Sequence, residues 1–204
     1  MINNAHLIRP LLKFESPNDF YFLQLLKRRK DNPDLERDMN VLGDYYIYSL
    51  EQFDNLMPKI IKICNDENAR AYFRLNRRDA KKVGLQMLKR ITDLIICENY
   101  RPIKNSYASI AGEFHSDPDK TWLIDIDWID YENFPGAIER TKEIISNLQT
   151  EANREPLMIE IPTKNGFHII TRPFNIAKLT QTLIMESLPR MDSHKDNPTI
   201  LYIA

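Results

Sequence analysis

The chain reads as an α+β protein, a mainly antiparallel central sheet with flanking helices. Three observations predict this. Short segments alternate apolar and polar residues with a period of two. Longer ones repeat apolar residues every three or four positions. The two kinds interleave in the order β-α-β-β and then α-β-β-α-β, too few crossovers for a parallel sheet.

Phe20 to Leu26 is strongly apolar and suits a helix or a strand, ending in Lys27-Arg28-Arg29-Lys30 and the turn residues Asp31-Asn32-Pro33-Asp34. Tyr45 to Ser49 fits a short strand. Ser49 then caps a helix whose Phe53, Met57, Ile60, Ile61 and Cys64 share one stripe, and Asn65 to Asn68 closes it. Ala69 to Leu75 sets Ala71, Phe73 and Leu75 inward against Arg70, Tyr72 and Arg74 on an open face. The next helix starts near Asp79. Its Val83, Leu85, Met87, Leu88, Ile91, Leu94 and Ile95 predict a broad buried face lying across a sheet. Ser106 to Ala111 reads as a strand that pairs, through a turn at Ser116 to Asp119, with Trp122 to Trp128, making the latter an interior strand. Pro135-Gly136 leads into a helix from Ala137 to about Leu148, with Ile138, Ile144, Ile145 and Leu148 inward. Pro156 to Pro162 and Phe167 to Thr171 form a strand pair. Asn175 caps a helix burying Ile176, Leu179, Leu183 and Ile184, and Thr199 to Ile203 is the last strand.

With 204 residues, 43% of them apolar, the chain can close one sizeable core, so one domain is expected. Lys plus Arg (28) and Asp plus Glu (29) nearly cancel, which excludes a global basic field; contact with nucleic acid has to be local. The two cysteines, Cys64 and Cys97, each end an apolar helical pattern and lack zinc-ligand spacing, so they read as buried, reduced thiols. No apolar stretch approaches the roughly 20 residues of a membrane span. Met1 to Lys13 lacks the order of a signal peptide, and a cytoplasmic protein without membrane contact is expected.

The chemistry concentrates in three places. In Trp122-Leu123-Ile124-Asp125-Ile126-Asp127-Trp128, strand alternation puts Leu123, Asp125 and Asp127 on one face and Trp122, Ile124, Ile126 and Trp128 against the core. Two adjacent, partly desolvated carboxylates repel, and a hard divalent cation, Mg²⁺ or Mn²⁺, relieves them; a solvated edge strand is the other reading. Thr163-Lys164-Asn165-Gly166-Phe167-His168 offers a hydroxyl, an ammonium, an amide and a glycine leading to a strand histidine, a set suited to phosphate and equally to a plain hairpin. Asp192, in the polar stretch Arg190 to Pro198, is a candidate third metal ligand, with Asp196 as its competitor.

In this order the three motifs resemble those of the archaeo-eukaryotic primase (primase-polymerase) superfamily: a hydrophobic-Asp-hydrophobic-Asp strand, a turn with a hydroxyl ending in Gly-x-His, and a hydrophobic-Asp pair. The resemblance covers roughly residues 69 to 204, and the short intervals are similar to those of compact phage and plasmid members. It implies an RRM-like catalytic core over 69–204 preceded by a helical or extended portion, 1–68. It also implies Asp125, Asp127 and Asp192 as ligands of Mg²⁺ or Mn²⁺, and Thr163, Lys164, Asn165 and His168 at the phosphates of a nucleoside triphosphate. Nucleotidyl transfer on a single-stranded template in DNA replication follows, with a helicase as a possible partner. Arg70 and Arg74 would supply local positive charge to the nucleic-acid backbone. Here Gly166 stands two residues before the histidine and Thr163 five before, a departure from the family's usual serine. The rivals are a degenerate primase fold that binds nucleic acid or a replication partner without catalysis, and a metal-dependent nuclease or phosphoesterase using the same aspartates.

Overall fold

The structure is a computed structural model that describes residues 1–113, 117 and 119–204. It is α+β, with two antiparallel sheets, and its contacts gather into two compact units: residues 3–118 with Met1 and 200–204, and residues 119–199 with Ile2. The expected opening of the catalytic part at residue 69 lies within the first of these.

The first sheet runs in the order β1 (Ile2–Asn3), β9 (Thr199–Ile203), β4 (Arg70–Asp79), β2 (Asp19–Arg28) and β3 (Met39–Ile47). In β2 both faces are buried. Phe20 and Phe22 meet Val83, Ile110 and Ala111 on one side, while Tyr21 stacks on Phe73 of β4 at 5.8 Å. A strand covered on both sides loses its alternation, which is why its sequence fits a helix equally well. Helix α2 (Leu50–Glu67) brings Phe53 edge-on to Phe73, and Ser49 caps it by accepting from the Gln52 amide at 3.0 Å. The short α1 (Ala5–Ile8) continues into a 3-10 turn at Arg9–Leu11.

Helix α3 (Ala80–Ile96) begins where expected, with Asp79 accepting from the Lys82 amide at 2.8 Å. Its outer face departs from expectation. Val83 is its buried residue, whereas Leu85, Leu88 and Ile95 are exposed. Ser106–Glu113 is helix α4, not a strand. Its buried Ser106, Ile110 and Ala111 stand at helical spacing, and two alanines favour the helix. The hairpin expected there does not form, and most of the turn at Ser116 to Asp119 lies outside the described residues. Cys64 is buried, and burial pushes its thiol up to about 11, but Cys97 is exposed, contrary to expectation; both are free.

Charge is buried in this unit with its partners. The Arg77 guanidinium reaches Glu15 at 3.0 Å, Asp19 at 3.1 Å and Asp117 at 3.5 Å. Arg78, fully buried, donates from Nε to the Ala111 carbonyl at 2.7 Å. A charge taken out of water is tolerable only when paired in this way.

The second sheet runs β6 (Met158–Pro162), β7 (Gly166–Thr171), β5 (Trp122–Asp127), β8 (Asp192–His194). Between β5 and β6 come α5 (Trp128–Tyr131) and α6 (Ala137–Glu151), and between β7 and β8 comes α7 (Ile176–Met185). Asn175 caps α7 by accepting from the Lys178 amide at 3.1 Å. Ile124, Ile126, Phe167 and Ile169 of the sheet form one core with Ile144, Ile145 and Leu148 of α6 and Leu179 and Leu183 of α7. Ile184 is exposed instead of buried, and so is Trp128, because the chain turns into α5 at Trp128.

Arg77→Ala is expected to lower unfolding free energy by about 3 kcal/mol, since the buried Asp19 carboxylate would lose the guanidinium it is paired with. Urea denaturation checks this, and an unchanged midpoint with unchanged slope contradicts it.

Candidate functional site

Strand β5 lies between β7 and β8, and its pairing fixes what stands beside each aspartate. Asp125 is opposite His168 of β7 and opposite Asp192 of β8, so the three residues form one row across three adjacent strands. Asp127 lies two residues along the same face, opposite Gly166. In the other direction along that face Leu123 faces His194. The alternation predicted for β5 therefore holds: Ile124 and Ile126 enter the core shared with α6 and α7, and the carboxylates take the other face.

Glycine at 166 is required by this pairing. A Cβ there would fall inside contact distance of the Ile126 carbonyl oxygen, 2.8 Å from its carbon and 3.0 Å from Asp127 Cα. The close approach that the glycine permits in this structure is to the neighbouring strand. Thr163, Lys164 and Asn165 form the loop of the β6–β7 hairpin, with the Thr163 amide donating to the Gly166 carbonyl at 3.0 Å. The Trp128 amide donates to the Asn165 carbonyl at 2.9 Å, which ties the loop to the Asp127 end of β5.

His168 is buried, its Nδ1 2.8 Å from the Thr199 hydroxyl and its Nε2 3.5 Å from an Asp125 carboxylate oxygen. A carboxylate can only accept, so the arrangement suits a neutral ring protonated on Nε2 with the Thr199 hydroxyl donating to Nδ1. Burial, helped by the nearby His194, lowers His168 to about 4, with Asp127 opposing. Nδ1 is engaged by the Thr199 hydroxyl, while Nε2 stands on the Asp125 side at a distance beyond the usual hydrogen-bonding range.

Asp125 is raised above the ordinary carboxylate range, chiefly by burial and further by the negative charges of Asp192 and Asp130, with His194 acting against them. Its ionised form is thus disfavoured where it stands. Oxygen donors crowded by like charge are what a hard cation neutralises, and in donor chemistry Asp125, Asp127 and Asp192 suit Mg²⁺ or Mn²⁺. Among the described residues, however, no group of three or more His, Cys, Asp or Glu side chains is gathered so as to hold a metal.

Three participants escaped the sequence reading. His194 carried a signal, standing two residues after Asp192 in a segment that proves to be a strand. Asp130 sits in the first turn of α5, past the end of the expected strand. Thr199 looked like nothing more than the first residue of an apolar run.

Arg70 and Arg74 belong to the first unit. Arg70 is held by Asp31 in a two-pronged ion pair, 2.7 Å and 2.8 Å, and so anchors the turn after β2 rather than standing on an open strand face. Arg74 lines a cleft of about 640 Å³ together with Phe22, Gln24, Asp44, Ser109 and Glu113. In that cleft Gln24 donates to Asp44 at 2.9 Å, and Arg90 holds Glu113 below the usual carboxylate range.

No family model, characterised protein or solved structure matches this chain. No helix among the described residues is long and apolar enough to cross a membrane.

Because His168 takes up a proton less readily when folded than at its ordinary value of 6.5, acid favours the unfolded chain. Its contribution is intact above about pH 6.5 and is lost as pH falls toward about 4, a swing of about 3 kcal/mol. His168→Gln is expected to flatten stability between those limits, measured by urea denaturation across pH. A slope equal to that of the unsubstituted chain contradicts the assignment.

Proposed function

We propose that the second unit carries a metal-dependent nucleotidyltransferase centre of the primase-polymerase kind, acting on nucleoside triphosphates and a single-stranded nucleic-acid template. The observation that carries the reading is the row His168, Asp125, Asp192: three residues from three separated motifs, opposite one another on adjacent strands, with Asp127 next along the same face. Asp125, Asp127 and Asp192 would hold the divalent ion. When bound, it supplies Lewis-acid neutralisation of the charge that develops on the triphosphate. Lys164, Thr163 and Asn165, on the loop tied to the Asp127 end of β5, offer the ammonium and hydrogen-bond donors for the phosphates. Thr199 fixes the His168 ring through Nδ1, and its Nε2 stands beside Asp125. Arg74, in the wall of the first unit's cleft, is the arginine that keeps the nucleic-acid role in this reading.

One observation favours a second reading. The absence of a ready three-group ligand set among the described residues suits a non-catalytic relative that binds single-stranded nucleic acid or a replication partner.

The test is strand synthesis on a single-stranded template with nucleoside triphosphates and Mn²⁺. Asp125→Ala with Asp127→Ala should cut incorporation by more than about 100-fold, beyond what loss of outer partners costs a metal site. Far-UV circular dichroism should stay unchanged. Undiminished incorporation by the folded double variant overturns the proposal, and template binding without any incorporation by the unsubstituted chain selects the second reading.

A further inference from the structure

Under helix α4 the sheet of the first unit changes character. Phe20 and Phe22 pack there with Val83, Ile110 and Ala111, whereas Gln24, Asp44 and Arg74 line the cleft of about 640 Å³. Strand pairing fixes this floor. Gln24 stands opposite Asp44 of β3, and Phe22, two residues along β2, stands opposite Arg74 of β4. From the helix come the small residues Ala108 and Gly112. A Cβ on Gly112 would meet Phe22 at 3.7 Å and the Arg74 guanidinium at 3.8 Å, ordinary contact distances. Short side chains on the helix thus leave a gap over polar ones on the sheet, of the size of a small-molecule site.

The charges select what fits it. Glu113 is already engaged, accepting from Arg90 at 3.1 Å and 2.7 Å and from the Ser109 hydroxyl at 2.7 Å. Asp44 accepts from Gln24 through one oxygen at 2.9 Å, and among the described residues its other oxygen has no protein partner. Asp44 and Arg74 belong to the strands on either side of β2, about 10 Å apart across the sheet. A carboxylate and a fork of donors therefore share one cleft. Guanine matches both: N1–H and the N2 amino group donate side by side to a carboxylate, while O6 and N7 accept from a guanidinium. Adenine and cytosine offer a carboxylate one amino group beside a ring acceptor, and uracil offers one N–H between carbonyls. A flat ring also suits a gap between two layers.

We propose that this cleft binds the base of a guanine nucleoside or nucleotide, with Asp44 on its N1 and N2 edge and Arg74 on its O6 and N7 edge. This does not depend on the catalytic reading of the second unit. Isothermal titration calorimetry of the whole chain in EDTA, with guanosine as the probe, keeps metal and phosphate out of the measurement. Guanosine should bind about tenfold or more tighter than adenosine, cytidine or uridine, and about tenfold tighter than inosine, which lacks the N2 amino group. Asp44→Asn should bind guanosine and inosine alike. Gly112→Leu, which fills the gap, should abolish guanosine binding with unchanged circular dichroism. No guanosine binding up to its solubility limit, or equal affinity for the four nucleosides, overturns the proposal. Guanosine binding that survives Gly112→Leu, or a preference over inosine that survives Asp44→Asn, overturns it equally.

Discussion

The pairing of β5 with a neighbour on each side is the constraint on which the candidate site depends. Backbone hydrogen bonds to β7 and β8 decide that Asp125 has His168 on one flank and Asp192 on the other. A slip of one residue would send Ile124 and Ile126 out of the core and the carboxylates into it. The register is held by the apolar face against α6 and α7, and by Gly166, the residue that lets β7 approach the β5 carbonyls this closely. Packing on one face thus places chemistry on the other.

Within that row the electrostatics are strained in a defined direction. Asp125 is partly buried beside Asp192 and Asp130, and its relief from neighbouring charge comes from His194 rather than from the buried His168, which stays neutral near pH 7. The whole chain has a formal net charge of −1, so this concentration of acid is local and leaves no trace in the composition. A group whose charged form is disfavoured by its own surroundings is a candidate for partnership with a cation or a proton.

Much of the local structure was legible because it rests on short-range rules. Ser49, Asp79 and Asn175 cap helices as their positions suggest, and the period-two pattern of Leu123 to Asp127 assigns faces correctly. What stayed hidden depends on neighbours distant in sequence. Residues 106–111 alternate weakly, yet their burial follows helical spacing. The apolar surplus of α3 predicted a broad buried face across a sheet, and the outer half of that surplus is exposed. Arg70 looked available until Asp31, 39 residues away, proved to hold it. Within the site, the three aspartates and His168 were found from motif order, but Thr199 was not, because its hydroxyl matters only through a contact spanning 31 residues.

The claim at the centre is that carboxylates on adjacent strands share a cation. Titration with Mn²⁺ followed by electron paramagnetic resonance tests it most directly, comparing the unsubstituted chain with Asp192→Asn. Saturable binding that weakens by about tenfold or more in the variant is the predicted result. Binding of equal strength in both chains, or none in either, would contradict it.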